Sequence, residues 1–150
     1  MSDNIQIIEH TGPPDPTLRD EIFDLYRLIF NSEPNEEAHE RLLYSRDLLL
    51  LMAYDGDDPV AFKVGYRQDP DTFYSWLGGV LPDYRRQGIA LALMHHQHTW
   101  AKAQGYRFIQ TKTLNRWREM LILNLRNGFV ITGTYVSKDG RLRIILEKEL

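Results

Sequence analysis

The most informative stretch of the sequence is Val80-Leu81-Pro82-Asp83-Tyr84-Arg85-Arg86-Gln87-Gly88-Ile89-Ala90. An apolar strand pattern ends at its start, a short polar loop follows, and a helical pattern begins directly after Gly88. The first amides of a helix lack intrahelical partners and lie at the positive end of the helix dipole, so they favour a phosphate. Arg85 and Arg86 would add charge-assisted donors. A plain strand-to-helix turn with two solvated arginines fits the same residues. The stretch is neither a Walker loop nor a three-glycine dinucleotide fingerprint.

Outward from this loop, hydrophobic periodicity predicts the element order β-α-α-β-β-β-α-β-α-β-β. Asp15 and Asn35 are typical N-cap residues, and Pro16 fits the first position of a helix. This alternation predicts a single α/β domain spanning residues 1–150, in which helices cover a mixed sheet. The first predicted strand begins at Ile5. The other predicted strands cover 48–54, 59–66, 73–81, 106–113, 129–136 and 142–147. The third and fourth predicted helices cover 89–104 and 116–126.

The composition excludes several classes of protein. The 150 residues are 43% hydrophobic and 26% charged, which suits a folded domain with a solvated surface. No apolar run approaches the roughly 20 residues of a membrane span. The first residues, Met1-Ser2-Asp3-Asn4, lack the layout of a signal peptide, so a cytoplasmic location is expected. Because the sequence has no cysteine, disulfides, zinc–thiolate sites and cysteine nucleophiles are excluded.

Charge is distributed unevenly along the chain. Residues 1–71 carry a formal net charge of −10 and residues 72–150 one of +7, which gives −3 overall. The total is too acidic for a general nucleic-acid binder. Two interpretations stay open: surface charge clusters by chance, or a basic half binds an anionic ligand while an acidic half faces a cationic one.

The loop and its surroundings resemble motif A of the GNAT superfamily, the acyl-CoA-dependent N-acetyltransferases. The family pattern, Arg/Gln-x-x-Gly-x-Gly/Ala, stands here as Arg85-Arg86-Gln87-Gly88-Ile89-Ala90. A second family landmark, a helix that ends in Gly-Phe, is present as Gly128-Phe129. The resemblance covers essentially the whole chain. It implies a mostly antiparallel central sheet flanked by helices, with a splayed pair of strands that forms a cleft for coenzyme A.

The resemblance also implies how acetyl-CoA would bind as a co-substrate. The pantetheine arm would lie between the splayed strands and pair with the backbone of Val80, and the pyrophosphate would contact the amides of residues 86–90. Glycines 78 and 79 would suit a bulge in the first of these strands. Asn115 resembles a cofactor-contacting asparagine of the family, although capping the next helix is an alternative role. The implied cofactor-binding residues are Val80, Arg85, Arg86, Gln87, Gly88, Ile89, Ala90 and Asn115.

Catalytic residues depart from the family pattern. Many members carry a glutamate on the strand before motif A, but residues 72–81 contain no carboxylate, and Tyr74 lies in the stretch expected to face substrate. The family's usual acid, a tyrosine, is replaced by Asn124, which can donate a hydrogen bond but not a proton. Tyr74 and Asn124 are therefore the catalytic candidates. A water, Glu33 or Asp69 is left as the base.

Two functions follow from the resemblance. The first is an N-acetyltransferase that moves an acetyl group from acetyl-CoA to a primary amine by direct attack. Acidic residues at 33, 36, 37, 69 and 71 favour a cationic small-molecule or protein acceptor. The alternative is a non-catalytic acyl-CoA-binding or regulatory module on the same fold. An unrelated α/β binding domain is a third option, and a homodimer through the first helix or the closing strands is left open.

Three histidines, His95, His96 and His98, suggest a metal site at first sight. Helical spacing does not place all three on one face, and no carboxylate or thiol is near them in sequence. The sequence therefore predicts a solvated helix surface, with no metal.

Overall fold

The computed structural model describes residues 4–150. Its elements follow the predicted order, which confirms the α/β class. The strands are β1 (Ile5–Thr11), β2 (Leu48–Asp55), β3 (Asp58–Arg67), β4 (Thr72–Val80), β5 (Phe108–Thr113), β6 (Val130–Val136) and β7 (Leu142–Glu149). The helices are α1 (Pro16–Phe30), α2 (Glu36–Tyr44), α3 (Ile89–Ala103) and α4 (Arg118–Arg126), and a 3-10 turn covers Pro82–Tyr84. The interpretation of the N-terminus rested in part on residues 1–3, which lie outside the described residues.

The central sheet has seven strands in the order β1-β2-β3-β4-β5-β7-β6. β2 pairs antiparallel with β1 and β3, and β7 pairs antiparallel with β5 and β6. β4 and β5 run parallel. The prediction of a mixed, mostly antiparallel sheet flanked by helices is therefore confirmed.

Local sequence explains where several helices begin and end. Asp15 Oδ1 accepts a hydrogen bond from the amide of Leu18 at 2.8 Å, and Asn35 Oδ1 accepts one from Ala38 at 2.9 Å, so both predicted N-caps are formed. α4 begins two residues later than predicted, because a turn closed by the amide of Trp117 on the carbonyl of Leu114 precedes it.

The chain divides into two compact units. The first comprises Met1–Tyr66 and Leu77–Gln97, and the second Arg67–Trp76 and His98–Leu150. In the first unit, the apolar residues of β2 and β3 form the centre of the core. In the second, Phe73 packs edge-on against Trp100 and beside Tyr106, with ring centroids 5.4 and 5.2 Å apart. A single domain over residues 1–150 stays a prediction.

A helix can cross a membrane only when it is long enough and apolar enough. Among residues 4–150, no helix is both long and apolar enough to cross a lipid bilayer.

Candidate active site

The loop between β4 and α3 is held in the first unit by three hydrogen bonds. The amide of Leu81 donates to the carbonyl of Val60 on β3 at 2.9 Å. The hydroxyl of Tyr84 donates to a carboxylate oxygen of Asp55, the last residue of β2, at 2.7 Å. Arg85 Nε donates to the carbonyl of Val80 at 3.1 Å. The loop is therefore fixed to buried strands rather than set only by its own turn.

The contact between Tyr84 and Asp55 also has an electrostatic effect. The hydrogen bond to the Asp55 carboxylate, with a smaller effect of burial, raises the pKa of Tyr84 above its usual value. The phenol therefore stays protonated and remains a donor through the neutral range.

The backbone of this loop contains two residues of positive φ, a conformation that occurs in anion-binding nests. Arg86 and Gly88 both have positive φ, 62° and 81°, within three residues. A positive φ is uncommon outside glycine and concentrates at functional sites, so Arg86 marks a backbone under strain. Successive amides in such conformations form an anion-binding concavity. The first turn of α3 adds the amides of residues 88–91, which have no intrahelical acceptors.

Space and charge at this helix start fit a phosphate group. A Cβ placed on Gly88 would meet no heavy atom within 4 Å, so the backbone is open to an approaching ligand. Arg85 and Arg86 are exposed, while Ile89 is buried and secures the start of the helix. Amides, guanidinium groups and open space form the donor set that a pyrophosphate requires.

In the second unit, β4 and β5 pair in parallel over four residues each, Thr72–Ser75 with Phe108–Thr111. Within the described residues 4–150, β4 continues for five residues past this pairing and β5 for two. At the last pair, the hydroxyl of Thr111 donates to the carbonyl of Ser75 at 2.9 Å. A side chain thus satisfies a strand carbonyl at the point where the ladder ends, which is what separating strands require.

The predicted catalytic residue Tyr74 lies half-buried on β4. The Lys112 ammonium lies 5.5 Å from the centroid of its ring and 5.1 Å from that of Tyr135. These distances fit cation–π contacts, which place a positive charge beside the Tyr74 ring. Sequence analysis did not find Lys112, because the grouping joins three strands that are distant in sequence.

Asn124, the other catalytic candidate, is buried in α4. Its carbonyl accepts hydrogen bonds from the amides of Asn127 and Phe129, both at 3.1 Å, which closes the helix at Gly128. Gly128 takes φ of 94°, a conformation that favours glycine. The Gly-Phe landmark therefore has a structural function: it turns the chain out of α4, and the Asn124 carbonyl closes this turn.

Asn115 lines a cavity of about 310 Å³ beside α4, together with Arg118, Leu121, Ile122 and Leu125. The N-cap of α4 is Trp117 and makes no side-chain capping bond. Asn115 is therefore not the residue that caps α4. Asn115 is exposed and lines this cavity.

The two carboxylates considered as bases have structural partners. Glu33 accepts two hydrogen bonds from Arg27 Nε, at 3.0 and 2.9 Å. Asp69 Oδ1 accepts from the amides of Asp71 and Thr72, at 2.9 and 2.8 Å. Both carboxylates thus have local hydrogen-bond partners, and the identity of the base stays a prediction.

The prediction of a solvated helix surface is wrong for His98, because the three histidines have different surroundings. His96 Nε2 lies 2.8 Å from Glu9 Oε1. His98 is buried, with Nδ1 3.3 Å from Lys148 Nζ and its ring 5.5 Å from that of Phe129. His95 is exposed. Within residues 4–150, no group of three His, Cys, Asp or Glu side chains is arranged to hold a metal ion.

Sequence analysis missed two polar residues in the core of the first unit. Lys63 lies on β3 and is buried, which lowers its pKa to about 8. Gln97 on α3 is fully buried, and within residues 4–150 neither amide atom has a hydrogen-bond partner. For Lys63, a signal was present: it is the only charge in the apolar run 60–65.

A family model described as an acetyltransferase (GNAT) domain matches residues 20–111, well over half of the chain. The chain therefore belongs to the GNAT acetyltransferase family, as its motif and fold indicate. No curated protein sequence matches it.

Solved structures of acetyltransferases share the fold at low identity. The ribosomal-protein-S18-alanine N-acetyltransferase of Escherichia coli is 17% identical, with a TM-score of 0.80 over 96% of this chain and 94% of that chain. A GNAT family acetyltransferase from Elizabethkingia anophelis with acetyl-CoA bound is 24% identical, with a TM-score of 0.73 over 99% and 100%. Arabidopsis thaliana Naa50, in complex with the bisubstrate analogue CoA-Ac-MVNAL, is 19% identical, with a TM-score of 0.79 over 98% and 99%.

Proposed function

We propose that this protein is an N-acetyltransferase that transfers an acetyl group from acetyl-CoA to a primary amine of a small molecule or a protein. The observation that carries the proposal is the start of α3. There, two residues of positive φ, a turn of unpaired amides and two exposed arginines surround an open glycine. Membership of the GNAT family and a solved relative with acetyl-CoA bound support the same co-substrate.

Each residue of the loop has a distinct part in binding. The amides of residues 86–90 would hold the pyrophosphate, and Arg85 and Arg86 would neutralise its charge. Since Arg85 Nε already bonds the carbonyl of Val80, the same arginine also ties the end of β4 to the loop. Asn115 would contact the co-substrate from the cavity on α4.

The reaction requires little acid–base chemistry from the protein. Acetyl-CoA supplies an activated thioester, which the acceptor amine would attack directly because the chain has no cysteine to carry the acetyl group. Asn124 would donate a hydrogen bond toward the departing sulfur, a role an amide can fill because a thiol has a pKa near 8.5. Tyr74 would position the acceptor or donate to the developing oxyanion. A water would take the ammonium proton of the acceptor.

Titration calorimetry with acetyl-CoA tests the binding step. Gly88→Trp places an indole where the pyrophosphate would lie, so it should raise the dissociation constant at least about tenfold. Gly140→Trp is the matched control: Gly140 has φ of 80°, close to the 81° of Gly88, and its Cβ would also meet nothing within 4 Å. The control carries the same backbone strain and should bind normally. A well-folded wild type that does not bind acetyl-CoA would refute the proposal.

Thiol release in the presence of amines tests catalysis separately. Asn124→Leu should lower kcat about tenfold and leave the dissociation constant for acetyl-CoA almost unchanged, because the lost hydrogen bond forms mainly in the transition state. The departures at residues 72–81 and 124 favour a second candidate, a non-catalytic acyl-CoA-binding module. That candidate predicts binding of acetyl-CoA with no thiol release above background for any amine.

The acceptor class is proposed from charge. Glu36 and Glu37 begin α2 and are exposed, within a half of the sequence that carries a net charge of −10. We therefore propose a cationic amine as acceptor. Replacing both glutamates with glutamine should raise the KM for a polyamine several-fold and leave the KM for acetyl-CoA unchanged. Equal KM values for the polyamine in the wild type and the double variant would contradict a role of these glutamates in binding the acceptor.

A further inference from the structure

One face of the sheet in the second unit is buried, and the opposite face is not. Phe73, Ile109 and Leu146 share the buried face and are fully enclosed, with Phe73 packed against Trp100 of α3. Side chains alternate between the two faces along a strand, so the neighbours of these residues point the other way. The strand register places six residues there, named the open face: Tyr74 opposite Gln110, Lys112 opposite Ile145, and Tyr135 opposite Arg143. Lys112 and Tyr135 are exposed, and the other four are half-buried.

On the open face, the Lys112 ammonium has aromatic neighbours but no anionic one within residues 4–150. Its Nζ atom lies 5.5 Å from the ring centroid of Tyr74 and 5.1 Å from that of Tyr135. No carboxylate oxygen in this part of the chain lies within 4 Å of it. Cation–π contacts position an ammonium without neutralising it, so Lys112 presents an uncompensated positive charge. The ammonium and both phenols can donate hydrogen bonds, a set that suits a carboxylate.

Two other ionised side chains of β7 point to the same face, and neither compensates Lys112. Arg143 is itself paired, since its Nη2 lies 3.0 Å from Asp139 Oδ2. Glu147 alternates with the buried residues of β7 and therefore also points to the open face. Although both lie in the described part of the chain, Glu147 and Lys112 form no ion pair. Lys112 is therefore the position on this face where an anion would gain a new ionic partner.

We propose that Lys112 binds a carboxylate on the acceptor, and that the acetylated amine therefore belongs to an amino acid. This inference rests on the proposed function, in which Tyr74 positions the acceptor, because the Lys112 ammonium lies beside the Tyr74 ring. An amino acid carries both a cationic amine, which the acidic residues of α2 favour, and an anion for Lys112. A polyamine has the first charge and lacks the second, so it should be the poorer acceptor.

Matched pairs of acceptors test the role of the carboxylate. Thiol release is measured for the common amino acids and for the amine that each leaves on decarboxylation, such as phenylalanine with phenethylamine and lysine with cadaverine. Lys112→Met should lower kcat/KM for the amino acid at least about tenfold and leave that for the amine unchanged, because only the amino acid loses a charge-assisted hydrogen bond. The two amines of a pair differ in basicity, so the quantity compared is the change in their ratio between variant and wild type.

Two further variants separate this role from a loss of charge or of stability. Lys112→Arg keeps the positive charge and should retain most of the preference for the amino acid. Lys102→Met removes an exposed lysine of α3 in the same unit, away from the open face, and should leave the ratio unchanged. The KM for acetyl-CoA should stay the same in all three variants. Thermal unfolding of each variant shows whether it is folded.

The outcomes distinguish this proposal from the proposed function. Acetylation of amines at a ratio that Lys112→Met does not change would support the acetyltransferase and overturn the carboxylate site. A higher KM for acetyl-CoA in Lys112→Met, again with an unchanged ratio, would assign the lysine to the co-substrate instead.

The absence of thiol release with every acceptor would refute catalysis and leave the site to be tested by binding. Calorimetry with N-acetylphenylalanine and Nα-acetyllysine then decides. Binding to the wild type that Lys112→Met weakens at least about tenfold would support the carboxylate site. No binding, or equal binding to the wild type and Lys112→Met, would overturn it.

Discussion

Two strands of this sheet, β2 and β6, are similar in composition and opposite in environment. Both are mainly apolar, but Leu48–Ala53 in β2 are buried without exception, whereas six of the seven residues of β6 are exposed. β2 lies between two antiparallel neighbours, while β6 ends the sheet. The environment of an apolar strand is therefore set by its place in the strand order, not by its residues.

The two strands also serve the protein differently. The end of β2 holds the loop between β4 and α3 through Asp55, which accepts a hydrogen bond from Tyr84, and β3 holds it through the carbonyl of Val60. Buried strands provide the rigidity that a preorganised site needs. β6 instead presents its side chains and its outer edge to solvent. The same sheet thus contains a buried strand that supports the candidate site and an edge strand that is exposed to solvent.

The largest expected effect separates the two strands by stability. Leu50→Ala in β2 should lower the free energy of unfolding by about 2–5 kcal/mol, because it removes a fully buried side chain and leaves a cavity. Val136→Ala in β6 should lower it by less than about 0.5 kcal/mol when the protein is monomeric. Urea unfolding at low protein concentration measures both. Similar losses for the two variants would show that β6 is covered after all.

A second effect concerns Lys63, a buried charge on β3. Because burial lowers its pKa to about 8, the unfolded chain binds more protons than the folded one between pH 8 and 10.5. The free energy of unfolding should therefore rise with pH across this window. Below pH 8, the free-energy cost of burying the charged Lys63 is fully present. Lys63→Met should remove the penalty and raise the free energy of unfolding at pH 7 by up to about 3 kcal/mol.

The pH profile distinguishes this explanation from better packing of methionine. In Lys63→Met the rise between pH 8 and 10.5 should disappear, whereas Lys138→Met, at an exposed position, should retain it. Chemical denaturation at intervals of half a pH unit measures the slope. A wild type whose stability is flat across this window would contradict the role of Lys63.

The buried amide of Gln97 gives a third, smaller effect. Both of its polar atoms lack partners within residues 4–150, and each such atom carries a desolvation cost. Gln97→Met removes this cost and should therefore raise the free energy of unfolding by about 1–3 kcal/mol, measured by thermal or urea unfolding. Gln104→Met, at an exposed position after α3, should change little. Destabilisation by Gln97→Met would indicate that the amide has a partner in solution.

The smallest effect tests the link between β2 and the loop. Tyr84→Phe removes the 2.7 Å hydrogen bond to Asp55 and should cost about 1 kcal/mol of stability. If the loop binds acetyl-CoA, its affinity should fall several-fold, because the loop would no longer be preorganised. Calorimetry on the same samples measures both quantities. A loss of stability with unchanged affinity would show that β2 does not support the site.

The features that could be predicted from sequence are those with local causes. Asp15 and Asn35 cap the helices that they were expected to cap, and Gly88 lies at the predicted transition from loop to helix. Each depends on a few consecutive residues whose hydrogen bonds close within one turn. The strand-and-helix order followed from the same local signals, and with it the fold.

The rest depends on which distant segments meet. The burial of Lys63 and the grouping of Tyr74, Lys112 and Tyr135 depend on strand order, which no local pattern encodes. The 3-10 turn before α3 and the late start of α4 depend on turns that compete with helix formation. The assignment of the site residues to binding and catalysis stays a prediction that the experiments above address.

One contact in the first unit constrains how this sequence can change over time. A Cβ on Gly79 would lie 2.8 Å from Cγ2 of Ile29, closer than side chains approach one another, and a Cβ on Gly78 would lie 3.2 Å from the carbonyl oxygen of Phe62. Gly79 can therefore become alanine only after Ile29 has become smaller. We expect positions 29 and 79 to covary among descendants of this gene, so that a lineage reaches a larger residue at 79 by way of alanine at 29, which lacks the Cγ2 that makes the contact.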